Sequence, residues 1–309
     1  MTIGIRAVSV YSPDDYIDNV LQAEKLDSTK EFITDKIGML RLARKSNKQE
    51  TTDLAKLAVE ALFCAHSLTS DDVECLILVT QNPDGMGLPH SSAILHHKLN
   101  LRTSCVVFDI SLGCSGYVQG LSIAQSFMQS NGMSNGVLVT ADPYSTIINK
   151  NDRDTAMIFG DGSSATWLSN DSPVWDIGPF DFGTDSDQYN ALCVEKDMYL
   201  HMNGRAVFNF AATRVPESVD RVLNKAKISI IDIDLALLHQ GSKFIVETLA
   251  RRIGLEGKTP FLAENTGNTV SSSIPMLLAT KVSNSAKYLL LSGFGVGLSW
   301  ATCILKKRK

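Results

Sequence analysis

Phe108-Asp109-Ile110-Ser111-Leu112-Gly113-Cys114-Ser115-Gly116-Tyr117-Val118-Gln119-Gly120 is the stretch from which the fold of this 309-residue chain is read. A β-branched apolar run, Val106-Val107-Phe108, leads into a small-residue turn at Gly113, after which Leu121, Ile123, Ala124, Phe127 and Met128 recur on one helical face. The pattern predicts strand, elbow and helix, with Cys114 at the elbow. A thiol in the first turn of a helix faces unpaired N–H groups and the positive end of the macrodipole, which favours a nucleophilic thiolate. Gly113 and Gly116 leave room for an acyl group, and the N–H of Cys114 is placed to donate to a developing oxyanion. A buried core cysteine is the ordinary alternative, and this stretch alone leaves both readings open.

Outward from the elbow, the chain reads as alternating strands and helices. Toward the N-terminus lie an opening strand within 1–10, a polar helix and connection over 18–37, a helix over 49–66, a strand over 74–80 and a short helix over 91–99. Toward the C-terminus, residues 136–141 are strand-like, and 158–168 form a glycine-rich turn entering another strand. A second half beginning near Ser169 then replays the order: helix over 216–226, strand over 234–240, helix over 242–253 and strand over 286–292. The predicted architecture is α/β and layered, with two sheets sandwiching shared helices. Its halves are 1–168, carrying the cysteine, and 169–309.

A chain that is 44% hydrophobic and 20% charged can bury a large core, and a net charge of −4 gives no overall field favouring nucleic acid or anionic lipid. Six cysteines without C-x-x-C spacing suit reduced thiols in the cytoplasm and argue against a zinc site. The N-terminus has no signal-peptide core, and no run of about 18 apolar residues suits a membrane span. Phe159-Gly160-Asp161-Gly162-Ser163-Ser164 lacks G-x-G-x-x-G spacing and no P-loop occurs, which excludes those nucleotide motifs.

Two further side chains complete a chemistry. His239 ends an apolar strand before Gly241, where α/β folds gather ligand sites, and Asn268 lies in a polar loop leading into a helix. A cysteine to take an acyl group, with two neutral donors to hold a thioester carbonyl oxygen as it becomes an enolate, is the set needed for acyl transfer followed by carbanion chemistry. No metal or redox cofactor is needed for it.

With these residues in place, the chain resembles the β-ketoacyl-acyl carrier protein synthase III group of the thiolase-fold condensing enzymes. The resemblance rests on Asp109 to Tyr117, Arg153 with Ile158-Phe159-Gly160-Asp161-Gly162, Leu238-His239-Gln240, Gly267-Asn268-Thr269 with Ser273-Ile274-Pro275, and Gly293-Phe294-Gly295-Val296-Gly297-Leu298-Ser299-Trp300. It implies a thiolase-like five-layered αβαβα sandwich of two duplicated halves, working as a cytoplasmic homodimer. Acyl-CoA or phosphopantetheine thioesters would be its substrates and acyl carrier protein its partner, with no cofactor. Cys114 would take an acyl group from acyl-CoA or acyl carrier protein. Malonyl-carrier protein would then lose carbon dioxide, and its carbanion would attack the acyl-enzyme while His239 and Asn268 hold the enolate.

By the same resemblance the N–H groups of Cys114 and Val296 would form the oxyanion hole, with Phe294 in the same loop. Phe159 and Phe208 would line the acyl pocket, Leu88 would reach into the partner's pocket, and Arg251 and Arg252 would dock the acidic carrier. Departures from the family pattern are also present. His239-Gln240-Gly241-Ser242 lacks the usual Ala-Asn, Asn209 stands where a tunnel lysine is common, and Phe32 and Lys36 replace a tryptophan and arginine that clasp adenine, although Arg153 is kept. These changes point to a specialised or secondary-pathway member favouring a carrier-bound or unusual donor. Two rival functions are an acyltransferase delivering to an amine or hydroxyl with His239 as base, and a non-catalytic subunit of a heterodimer.

Overall fold

Cys75-Leu76-Ile77-Leu78-Val79 is apolar at every position, as a strand covered on both faces must be, and all five residues are buried. In the computed structural model, which describes residues 2–308, this strand is β4 of a nine-stranded sheet. Met1 and Lys309, the outer ends of the two expected halves, lie outside the described residues. In chain order the strands are β1 (Gly4–Tyr11), β2 (Tyr16–Asp18), β3 (Arg41–Ala43), β4 (Cys75–Val79), β5 (Val106–Ile110), β6 (Asn135–Ala141), β7 (Ser163–Ser169), β8 (Trp175–Thr184), β9 (Leu192–Val194), β10 (Leu200–Met202), β11 (Leu235–Leu238), β12 (Tyr288–Gly295) and β13 (Ser299–Lys307). The helices are α1 (Lys30–Phe32), α2 (Thr51–His66), α3 (Ser91–Lys98), α4 (Gly116–Ser130), α5 (Arg153–Ala156), α6 (Gly204–Ala226), α7 (Lys243–Ile253) and α8 (Ser273–Lys281).

The sheet runs β11-β12-β13-β8-β1-β7-β6-β4-β5. Its first half, β5-β4-β6-β7-β1, and its second, β11-β12-β13-β8, have the same order and sense apart from the outermost strand: β4/β6 and β11/β12 pair parallel, and the pairs inward from them antiparallel. The two expected sheets are joined by one narrow seam, Gly4 with Asp176 and Ile5 with Trp175. Helices α2 and α3 cover the first half-sheet, α6 and α7 the second, and α4 and α8 touch both and lie between them. That makes five layers. Side-chain alternation fills them: Ile77, Leu138, Leu237 and Leu291 point into the central layer with Leu121 and Leu277, while Leu76 and Val139 pack under α2 and α3, and Ala236 and Leu290 under α6 and α7. No helix among the described residues is long and apolar enough to cross a membrane.

Three expectations need correction. Residues 18–37 form short turns, the three-residue α1 and a π-turn over Ile33–Ile37, because polar residues interrupt any apolar stripe. Ile123 is 40% exposed, since the buried face of α4 is Tyr117, Val118, Leu121, Ala124 and Met128. And α6 starts at Gly204, so that Pro216 is inside the helix where the spacing placed it at the start.

Proline there has no N–H for the carbonyl of Ala212, and the Arg252 guanidinium supplies the missing donor at 2.7 Å. Arg252, expected to dock a carrier, is thus also tied to the fold. Arg252→Ala is expected to cost about 1 kcal/mol in a urea melt. In a Pro216→Ala background, where residue 216 regains its N–H, most of that loss should vanish.

Candidate active site

The elbow and the two neutral donors come from three separated segments, and all three side chains line one cavity of about 520 Å³. Each is 3% exposed. Cys114 follows β5 and precedes α4, in a turn closed by the Gly116 N–H on the Gly113 carbonyl at 2.8 Å. It therefore sits just ahead of the helix, and burial, with the Asp142 charge adding to it, pushes its thiol up to about 12, while hydrogen bonding from the Val296 and Cys114 backbones pulls it down. Burial thus works against the expected thiolate, desolvation outweighing the helix end. Gly295, on the end of β12, passes so close that a Cβ there would lie 2.8 Å from the Cys114 Sγ. The elbow is lashed to this loop by Ser115, whose hydroxyl is 2.8 Å from that of Ser299, which donates to the Val296 carbonyl.

His239 projects from the end of β11, its N–H held by the Ser292 carbonyl of β12 at 2.9 Å. Ser242 then caps α7 by accepting from the Ile245 N–H. The Asn268 backbone is clamped to the glycine-rich turn: its N–H donates to Ile158 at 2.9 Å and its carbonyl accepts from Gly160 at 3.0 Å. Only glycine fits there, because a Cβ on residue 160 would fall 1.8 Å from the Thr266 carbonyl oxygen. The Asn268 Oδ1 accepts the Val270 N–H at 2.8 Å, which turns Nδ2 toward the His239 Nε2, 3.4 Å away. On the other side of the ring, the Ser273 Oγ lies 2.9 Å from Nδ1, and the Phe294 ring stands edge-on at 5.5 Å.

Burial pushes His239 down to about 3, so it is neutral throughout the working pH range. Between about 3 and its ordinary 6.5 the unfolded chain binds a proton that the folded chain does not, and His239 therefore lowers stability as pH falls. Asp142, raised to about 6 by burial from its ordinary 3.8, acts in the opposite sense, since there the folded chain holds the extra proton. The two slopes oppose one another between pH 6 and 4. His239→Gln removes one of them, so its stability relative to the wild type should rise by about 1 kcal/mol for each pH unit of acidification in that range, read from urea melts.

At the mouth of the cavity, the Arg153 guanidinium lies over the Phe32 ring at 5.3 Å and the Lys36 ammonium over Phe244 at 4.8 Å. Phe159, Phe208 and Phe294 also line the cavity, Phe208 packing against Phe244 at 5.4 Å. Asn209 is exposed and does not line it, and Leu88, 87% exposed and just after the turn over 84–87, does not line it either. Arg251 and Arg252 are exposed on α7, also outside the lining. Sequence reasoning missed Phe244, Leu192, Met202 and Val207, which line the cavity from other elements and carry no local signal. It also gave no role to Ser273, although that residue stood within a quoted motif.

The family described as 3-oxoacyl-[acyl-carrier-protein (ACP)] synthase III matches residues 108–186, and its C-terminal counterpart matches 223–307. The β-ketoacyl-[acyl-carrier-protein] synthase III of Staphylococcus haemolyticus is 32% identical over 312 residues, covering 99% of both chains. That of Streptococcus pneumoniae is 30% identical over 323 residues, covering 97% of this chain and 98% of the relative. The crystal structure of 3-oxoacyl-(acyl carrier protein) synthase III from Pseudomonas aeruginosa superimposes with a TM-score of 0.92 at 27% identity, covering 100% of this chain and 99% of that one.

Proposed function

The chain belongs to the 3-oxoacyl-[acyl-carrier-protein] synthase III family, and from that premise we propose that Cys114, His239 and Asn268 carry out acyl transfer and decarboxylative condensation in the cavity they share. The meeting of these side chains in one buried chamber carries the reading. The Cys114 sulfur attacks the thioester carbonyl of acyl-CoA or acyl-carrier protein, its proton leaves with the departing thiol, and an acyl-enzyme remains. Malonyl-carrier protein enters next. Its carboxylate leaves as carbon dioxide, and the thioester oxygen gains the charge, held by Asn268 Nδ2–H and His239 Nε2–H. The imidazole presents that proton in the tautomer with Nδ1 bare, which the Ser273 hydroxyl favours when it turns from the Val270 carbonyl, 3.0 Å away, to donate to Nδ1. The enolate carbon then attacks the acyl carbonyl, whose oxyanion sits on the Cys114 and Val296 N–H groups, and collapse releases 3-oxoacyl-carrier protein and the Cys114 thiolate, which takes a proton from water to restore the thiol. No cofactor or metal enters a step.

The same proposal divides the chain into halves 1–168 and 169–309, places Arg251 and Arg252 toward the carrier protein and locates the enzyme in the cytoplasm. A homodimer is supported by the open edge of β5, around which Met86, Leu88, Val106 and Ile123 are exposed. Phe32 and Lys36 offer less to an adenine nucleotide than an indole and a planar guanidinium would. Carrier-bound acyl groups are therefore the preferred donors, which makes this a specialised member.

Intact-mass measurement after exposure to acetyl-CoA and to acetyl-carrier protein should show one acyl group on Cys114, gained faster from the carrier. Malonyl-carrier protein should then release carbon dioxide. A strong preference for acetyl-CoA overturns the donor assignment alone. Loading without carbon dioxide release would favour transfer to an amine or hydroxyl.

A further inference from the structure

Asp142 follows the last residue of β6 and is wholly buried, and among the described residues no cation pairs with it. Its carboxylate accepts the Gln81 N–H at 2.7 Å and the Thr80 hydroxyl at 3.3 Å, both from the end of β4, and a close hydrogen bond from the Ser271 hydroxyl. Ser271 is the middle of the turn Val270–Ser272. At one end of that turn is Asn268, whose Oδ1 accepts the Val270 N–H; at the other is Ser273, against the His239 Nδ1. Val270 is held at φ 53°, in the left-handed region that a β-branched residue adopts only under restraint. A strained turn carrying one enolate donor and bracing the other is thus pinned at its centre to the half-sheet that carries Cys114. A neutral side chain would hold a turn for packing alone at less cost than a buried carboxylate without a counter-ion.

We infer that Asp142 is a positioning residue for the condensation step, holding Asn268 and, through Ser273, His239 in register by way of its hydrogen bond from Ser271. The inference rests on the proposed condensing function. The titratable groups facing Asp142 are Cys114, pushed up to about 12, and Tyr144, raised well above its ordinary range; His239, across the turn, is down at about 3. Near pH 6 only Asp142 changes charge in this cluster, and protonation there weakens its carboxylate as acceptor of the Ser271 hydroxyl.

The test measures the two half-reactions separately in the full chain. Ser271→Ala is expected to lower kcat for carbon dioxide release from malonyl-carrier protein about tenfold, leaving its KM and the rate of acyl loading on Cys114 within about twofold. Wild-type kcat should fall below about pH 6, and that limb should be absent from Ser271→Ala and from Asp142→Asn. If loading and release fall together, or release is unchanged and the acid limb persists in the variants, Asp142 is a structural group only and the inference is overturned. Should the wild type neither load nor release carbon dioxide, the proposed function falls and takes this inference with it.

Discussion

Cys114→Ala should show no mass gain with any acyl thioester, and its condensation rate should fall by about 10⁴-fold or more, because the substitution removes the only atom to which the acyl group is transferred. The side chain lost is small and belongs to the same buried apolar cluster as Phe159 and Tyr144, so the fold should survive with about 1 kcal/mol or less of lost stability. A melt near that of the wild type would separate loss of the nucleophile from loss of structure. The buried thiol also makes a prediction about reactivity. With the group pushed up to about 12, alkylation by iodoacetamide at pH 7 should be slow when no acyl donor is added. Acyl donors should react despite this if, as proposed, their carbonyl oxygen engages the Cys114 and Val296 N–H groups as the sulfur attacks. If Cys114→Ala is loaded as fast as the wild type, another residue is the nucleophile and the site has been misassigned.

Much of this was legible in the sequence because it is encoded locally. A strand that is apolar at every position announces burial on both faces, as at 75–79, and a strand order repeated in both halves follows from a helix–strand–helix order repeated along the chain. Cys114, His239 and Asn268 were legible because each sits where backbone rules put ligand groups: at an elbow, a strand end and a polar turn. What escaped depends on distant partners. Pro216 reads as a helix start until Arg252, from α7, is seen to supply the donor that proline lacks. A helix-end cysteine reads as thiolate until the depth of the chamber is known, and that depth is set by side chains from both halves. Asp142 and Ser271 are far apart in sequence and gain meaning only where β6 meets the turn after Asn268.

Asn268→Ala should divide the cycle in two. Acyl loading of Cys114 should proceed at nearly the wild-type rate, whereas carbon dioxide release from malonyl-carrier protein should fall about 10²- to 10³-fold, the usual cost of removing one donor to a developing oxyanion. The reason is geometric. Asn268 Nδ2 and His239 Nε2 are 3.4 Å apart, so a single carbonyl oxygen can reach both, and once Nε2 carries the ring proton it meets two donors with no charge on either residue before the reaction. Removing one leaves His239 as the only side-chain donor. His239→Ala should behave similarly, and the double variant should lose less than the product of the two separate losses, because both act on the same oxygen. The rival reading predicts a different split. Were His239 a general base passing the acyl group to an amine or hydroxyl, Asn268→Ala would leave turnover with such an acceptor largely intact and His239→Ala would abolish it. Equal losses in the two single variants therefore identify an enolate, and unequal ones a base.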